Sequence, residues 1–135
     1  MTVSYDYAGN ELWRGLYHGV VGALDVAVGP DGQVAVCGWS RIPGTNTNAG
    51  TVVQYDSAGN EMWVTHHNSP VGIDIFRKIA IGEDGSVIAT GTGLTAQADD
   101  AWSTIKLDSS ACFSGRACTT TYPGAGAPAT STRVR

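Results

Sequence analysis

Apolar and polar positions alternate in short runs along the first 108 residues. In TVVQYD at 51–56, Val53 and Tyr55 alternate with Gln54, a period of two. The runs break at clusters of turn residues: GPDG at 29–32, SAGN at 57–60 and GEDG at 82–85. No segment holds a helical period over ten residues. The pattern therefore predicts short strands joined by tight turns. One stretch reads as four of them: DVAVG, QVAVCG, TVVQYD and EMWVTH. A further pair, Lys78–Ile81 and Ser86–Thr90, flanks Glu83-Asp84-Gly85. Gly59 suits a turn position with positive φ, and Asp56 suits one that accepts from nearby turn amides.

The strands repeat. YDYAGNELW at 5–13 returns as YDSAGNEMW at 55–63, an offset of 50. AVGPDGQVAVCG at 27–38 returns as AIGEDGSVIATG at 80–91, an offset of 53. The difference places about three inserted residues in the loop between Asn68 and Ile75. A third copy begins at STIKLDSS, 103–110, and then fades: Ala111-Cys112 stands where Gly-Asn is due, and no tryptophan follows.

Four-stranded antiparallel units with a period near 50 predict an all-β fold of β-propeller type. Each unit would be a blade that buries its broad faces against its neighbours. The residues also resemble a bacterial β-propeller repeat family, with a consensus like D-x-A-x-x-I-A-V-D-x-x-G-N-V-Y-V-T-G followed by T-V-K-Y-D-x-x-G-N-x-x-W. The resemblance is carried by Asp74, Ile79-Ala80-Ile81, Asp84-Gly85, Val87 and Thr90-Gly91, then by Thr51 to Asp56, Gly59-Asn60 and Trp63. It covers roughly residues 2 to 110. That family is mostly uncharacterised, so the resemblance implies a fold and little chemistry.

The repeat divides the chain into a half blade at 2–17, a blade at 23–67 and a blade at 76–108, about 2.5 blades within 1–110. Residues 111–135 read as a degenerate repeat end and a flexible tail, rich in Thr, Ala, Pro and Gly. Propellers close with about four or more blades. Three resolutions are open: copies complete a closed ring, the chain is a fragment of a longer propeller, or it closes a smaller sheet alone. For the ring, the two N-terminal strands could complete a blade begun by residues 76–91 of the same or another copy. Three chains joined in that way would give six blades.

Charge narrows the partners. The net charge is −4 and the cations are scattered, which argues against nucleic acid and anionic membrane. No stretch is long and apolar enough to span a bilayer. The N-terminal MTVSYDYAGN has neither a basic segment nor an apolar core, so the chain reads as cytoplasmic unless it is a piece of a secreted protein. Among the three cysteines, Cys37 lies in an apolar run and reads as a buried thiol. Cys112 and Cys118 can be bonded or reduced, and two ligands do not make a zinc site.

The repeating residues read as structural: Asp6, Gly9, Asn10 and Trp13, then Asp56, Gly59, Asn60 and Trp63, with Asp31-Gly32 and Asp84-Gly85. His66 and His67 point to opposite faces of a strand, so they read as packing histidines and not as one metal site. His18 occupies the matching end of the earlier copy. Candidate ligand-binding residues lie where the repeat is broken. Trp39 and Arg41 precede the polar loop carrying Asn46 and Asn48, and Asp99-Asp100 lies in the loop before the last strand. Variable loops on a regular scaffold are where ligands bind, and an aromatic face beside Asn, Thr and Arg suits a carbohydrate or a peptide. No residue is assigned as catalytic, and no metal or cofactor is implied. The reading is a non-catalytic binding or scaffold module. The alternative is an enzyme of glycan hydrolase or lyase type using the axial cleft of the assembled propeller, and a remnant without activity is a third possibility.

Overall fold

The computed structural model describes residues 1–18, 21–42, 44–68, 74–94 and 100–108. The expected tail at 111–135, with Cys112 and Cys118, lies outside the described residues. Every regular element among those described is a strand. In chain order they are β1 (Thr2–Tyr5), β2 (Glu11–Gly15), β3 (Val21–Val28), β4 (Val34–Arg41), β5 (Asn48–Tyr55), β6 (Glu61–His67), β7 (Asp74–Ile81), β8 (Val87–Leu94) and β9 (Asp100–Leu107). All pairing is antiparallel between chain neighbours. The sheets are a hairpin β1-β2, a four-stranded sheet β3-β4-β5-β6 and a three-stranded sheet β7-β8-β9. The all-β expectation holds.

The repeated turns have one geometry. Asp6 Oδ1 accepts from the backbone N–H of Ala8 at 2.9 Å and of Asn10 at 2.8 Å, and Oδ2 accepts from Asn10 Nδ2 at 2.8 Å. Asp56 makes the same three bonds with Ala58 and Asn60, each at 2.9 Å. Gly9 and Gly59 sit at φ +84° and +86°, a region closed to most side chains. The β3-β4 and β7-β8 turns also match, with Gly32 at φ +77° and Gly85 at +75°. There the carboxylate duty differs. Asp84 Oδ1 accepts from Ser86 N–H at 3.0 Å, whereas in the earlier turn Gln33 Oε1 accepts from Asp31 N–H at 3.1 Å.

One face of the central sheet is covered and the other only in part, since Val26 and Val28 of β3 stay exposed there. Residues directly paired across strands share a face, so Thr51, Val53 and Tyr55 look one way and Gly50, Val52 and Gln54 the other. The hairpin lies on the first face: Trp13 packs on Tyr55 with ring centroids 5.8 Å apart and fills the space beside Gly59. The three-stranded sheet lies on the second, with β7 crossing β3, β4 and β5. The core forms there from Ala35, Cys37, Val52 and Trp63 on one side and Phe76, Val87, Ala89, Ile105 and Leu107 on the other. Cys37 is buried as expected. Its Sγ donates to the Phe76 carbonyl at 3.7 Å, and burial, with the Asp25 charge adding to it, pushes the thiol up to about 11.

Two features differ from the expectation. The strands run further toward the β4-β5 and β8-β9 loops than the apolar pattern does, because backbone pairing continues through Arg41↔Asn48 and Leu94↔Asp100. Among the described residues four β-bulges also appear, in matching pairs. Leu24 and Arg77 are extra residues in β3 and β7, and Leu12 and Met62 in β2 and β6. A third finding bears on the expected splice. The edge of β8 that a borrowed N-terminal hairpin would use is already held by β9 along Val87–Leu94. That route to whole blades is closed unless β9 leaves.

Candidate functional site

At the loop end of the central sheet, register places Trp39 opposite Gly50 and Arg41 opposite Asn48, so Trp39, Arg41 and Asn48 share the face on which Phe76 of β7 packs. Trp39 lies half-buried against Gly22, where any side chain would strike its indole. Asn46 is exposed in the adjoining loop. That loop is held by Thr45, whose Oγ1 lies 2.7 Å from Thr47 Oγ1 and donates to the Ile42 carbonyl at 2.9 Å. Asn48 Oδ1 is buried with no donor among the described residues. Asp99 and the side chain of Asp100 lie outside the described residues. The structure thus gathers three of the six candidates, with Asn46 beside them.

His66 stands in a polar network that sequence reading missed. Its Nδ1 is 3.2 Å from Ser40 Oγ and 3.0 Å from Thr51 Oγ1, and its Nε2 is 3.4 Å from Tyr17 Oη. Ser40 and Thr51 are 2.7 Å apart. His67, on the opposite face, packs on Phe76 with centroids 6.0 Å apart. The Ser40–His66 pair invites a nucleophile reading, but Ser40 is buried and its hydroxyl is held by Thr51 as well. The network is a polar seam between hairpin and sheet. Burial holds the His66 imidazole below its usual pKa. The unfolded chain binds the proton near the ordinary value of about 6.5, so acid favours unfolding. Stability should be complete above that pH and fall as pH drops below it toward the folded-state pKa. Thermal melts from pH 8 to pH 5 should show this fall, and His66→Asn should reduce it.

At the opposite, turn end, a cleft of about 430 Å³ opens between the two larger sheets. It is lined by Asp31, Gln33, Gln54, Asp56, Ser57, Met62, Glu83, Asp84 and Gly85. The β3-β4, β5-β6 and β7-β8 turns each contribute carboxylates, and β5 contributes Gln54. The donors on Asp56, led by the Asn60 side chain, hold its carboxyl below the ordinary range, as Asn10 does for Asp6. Both Asp56 oxygens are thereby engaged within the turn. Asp84 is lowered by Ser86, and Lys106 Nζ lies 3.8 Å from its Oδ2. Among the described residues, no group of three or more His, Cys, Asp or Glu is placed to hold a metal ion. The cleft departs from the repeat at Gln54, Ser57, Met62 and Glu83, where the earlier copy has Ser4, Tyr7, Leu12 and Pro30, and at Gln33, where the later copy has Ser86.

No protein-family model matches this sequence, and no curated protein matches it.

Proposed function

We propose that the chain is a non-catalytic β-propeller repeat module whose copies complete a closed ring and present binding surfaces at its rims. The observation that carries this reading is a single mode of stacking used twice. Trp13 of the hairpin meets Tyr55 of the central sheet. Trp63, its repeat counterpart, shares a core with Leu107, the counterpart of Tyr55. Each unit thus seats its Trp-bearing face on the opposite face of the next. The series ends with two broad faces in water. One carries Tyr5 and Leu16, and the other carries Ile88 and Trp102, the last 92% exposed. Such faces invite cover by another copy.

Trp102 also speaks to which part of the copy arrives. At the matching place in the central sheet, Gly50 leaves room for Phe76 of the following sheet, whose ring would come within 2.8 Å of an added Cβ. Trp102 fills that room. A hairpin brings no strand equivalent to β7, so the indole has space beneath a neighbour's hairpin. Trp102→Glu, on an outer face, should leave each chain folded and break the assembly into monomers by sedimentation. An unchanged mass in that variant would count against the reading. The loop end with Trp39, Arg41, Asn46 and Asn48 is the rim we propose for a carbohydrate or peptide, since a ligand hydroxyl or amide there would satisfy Asn48 Oδ1.

A further inference from the structure

We infer that the turn-end cleft binds an organic cation rich in N–H donors, an ammonium or guanidinium group of the kind borne by lysine or arginine side chains. Four carboxylates, Asp31, Asp56, Glu83 and Asp84, line it from three turns of two sheets. Acidic turns alone would be a solvated surface. The second observation is Gln54, which lines the same cleft at 2% exposure, with Oε1 buried and without a donor among the described residues. A buried acceptor left without a donor is costly. A ligand N–H entering the cleft would satisfy it while the positive charge meets Glu83 and Asp31.

The choice of cation follows from the same residues. Asp56 has both oxygens committed to its own turn, and no cluster of three ligating side chains exists among the described residues, so a bare metal ion finds too few oxygens. Met62, half exposed on one wall, offers apolar surface to an alkyl stem. Lys106 already brings an ammonium to Asp84 from the neighbouring strand, an example of the proposed chemistry within the chain. Repetition cannot account for these groups. Folding needs the Asp-Gly and Gly-Asn turn residues in each copy, but Gln54, Ser57 and Glu83 replace Ser4, Tyr7 and Pro30 at this cleft. The cleft is complete within one copy, so this inference and the ring fail independently: native mass tests one, and a resonance map tests the other.

The test is an NMR titration of the isotopically labelled full chain with argininamide at low salt. Saturable shifts should concentrate on the amides of Gln33, Ser57 and Gly85. Asp31→Asn and Glu83→Gln, both exposed positions, should each weaken binding roughly threefold, as expected for a solvated charge pair. Gln54→Met should weaken it about tenfold, the usual scale for one buried hydrogen bond. Shifts spread equally to the exposed acids Glu11 and Glu61, affinity unchanged in all three variants, or calcium displacing argininamide from the cleft at lower concentration would each overturn the proposal. Should Gln54→Met fail to fold, the two exposed variants carry the test.

Discussion

Phe76→Ala should destabilise the protein by about 3–5 kcal/mol, measured by urea denaturation. Phe76 has no exposed surface and joins the two larger sheets. Its ring occupies the space that Gly50 leaves open, and His67 packs beside it. Truncation removes the apolar contact and leaves a void that two stiff sheets cannot close, which places the cost at the upper end for aromatic residues. Met62→Ala, at an exposed bulge, should cost within about 0.5 kcal/mol. Equal costs for the two variants would show that the sheets do not meet through Phe76.

Gly38→Ala and Gly91→Ala should each cost about 3 kcal/mol, near the upper end for overpacking. Neither glycine is needed for an unusual φ. Space is the reason. A methyl group at Gly38 would overlap the carbonyl oxygen of Gly22, and one at Gly91 would overlap that of Ile75. In each case the obstacle is backbone, which cannot swing aside as a side chain can. Both glycines lie opposite the bulges at Leu24 and Arg77, where the bulged strand bends and one of its carbonyls comes close to the glycine. The two positions differ by one repeat, so the variants should lose similar stability in thermal melts. A neutral result at either would mean that its bulge is not part of the fold.

The sequence shows local chemistry well and encounters between distant strands poorly. Asp56 makes its predicted turn bonds, and Asp6 repeats them, because the partners lie within four residues. The bulges were invisible, since one extra residue breaks the period of two only locally and leaves the composition of the strand unchanged. The His66 network joins residues 17, 40, 51 and 66 from separate segments, and no spacing along the chain announces such a meeting. Gln54 is the clearest lesson. Alternation with Val53 and Tyr55 places it on the polar side of a half-buried strand, yet the second sheet covers that side too. The signal that marked it was mismatch within the repeat, Ser4 and Lys106 standing at its equivalent positions. The loop candidates fared unevenly for a related reason. Trp39, Arg41 and Asn48 come together because strand pairing extends beneath the loop, whereas Asp99 lies outside the described residues.

Stacking in one direction is the claim on which the rest depends, because it leaves one copy with two uncovered ends. Sedimentation velocity of the intact chain at micromolar concentration tests it most directly. The account predicts a discrete species several times the 14.0 kDa chain mass, stable to dilution. A soluble species at the mass of one chain, persisting as concentration rises, would contradict it.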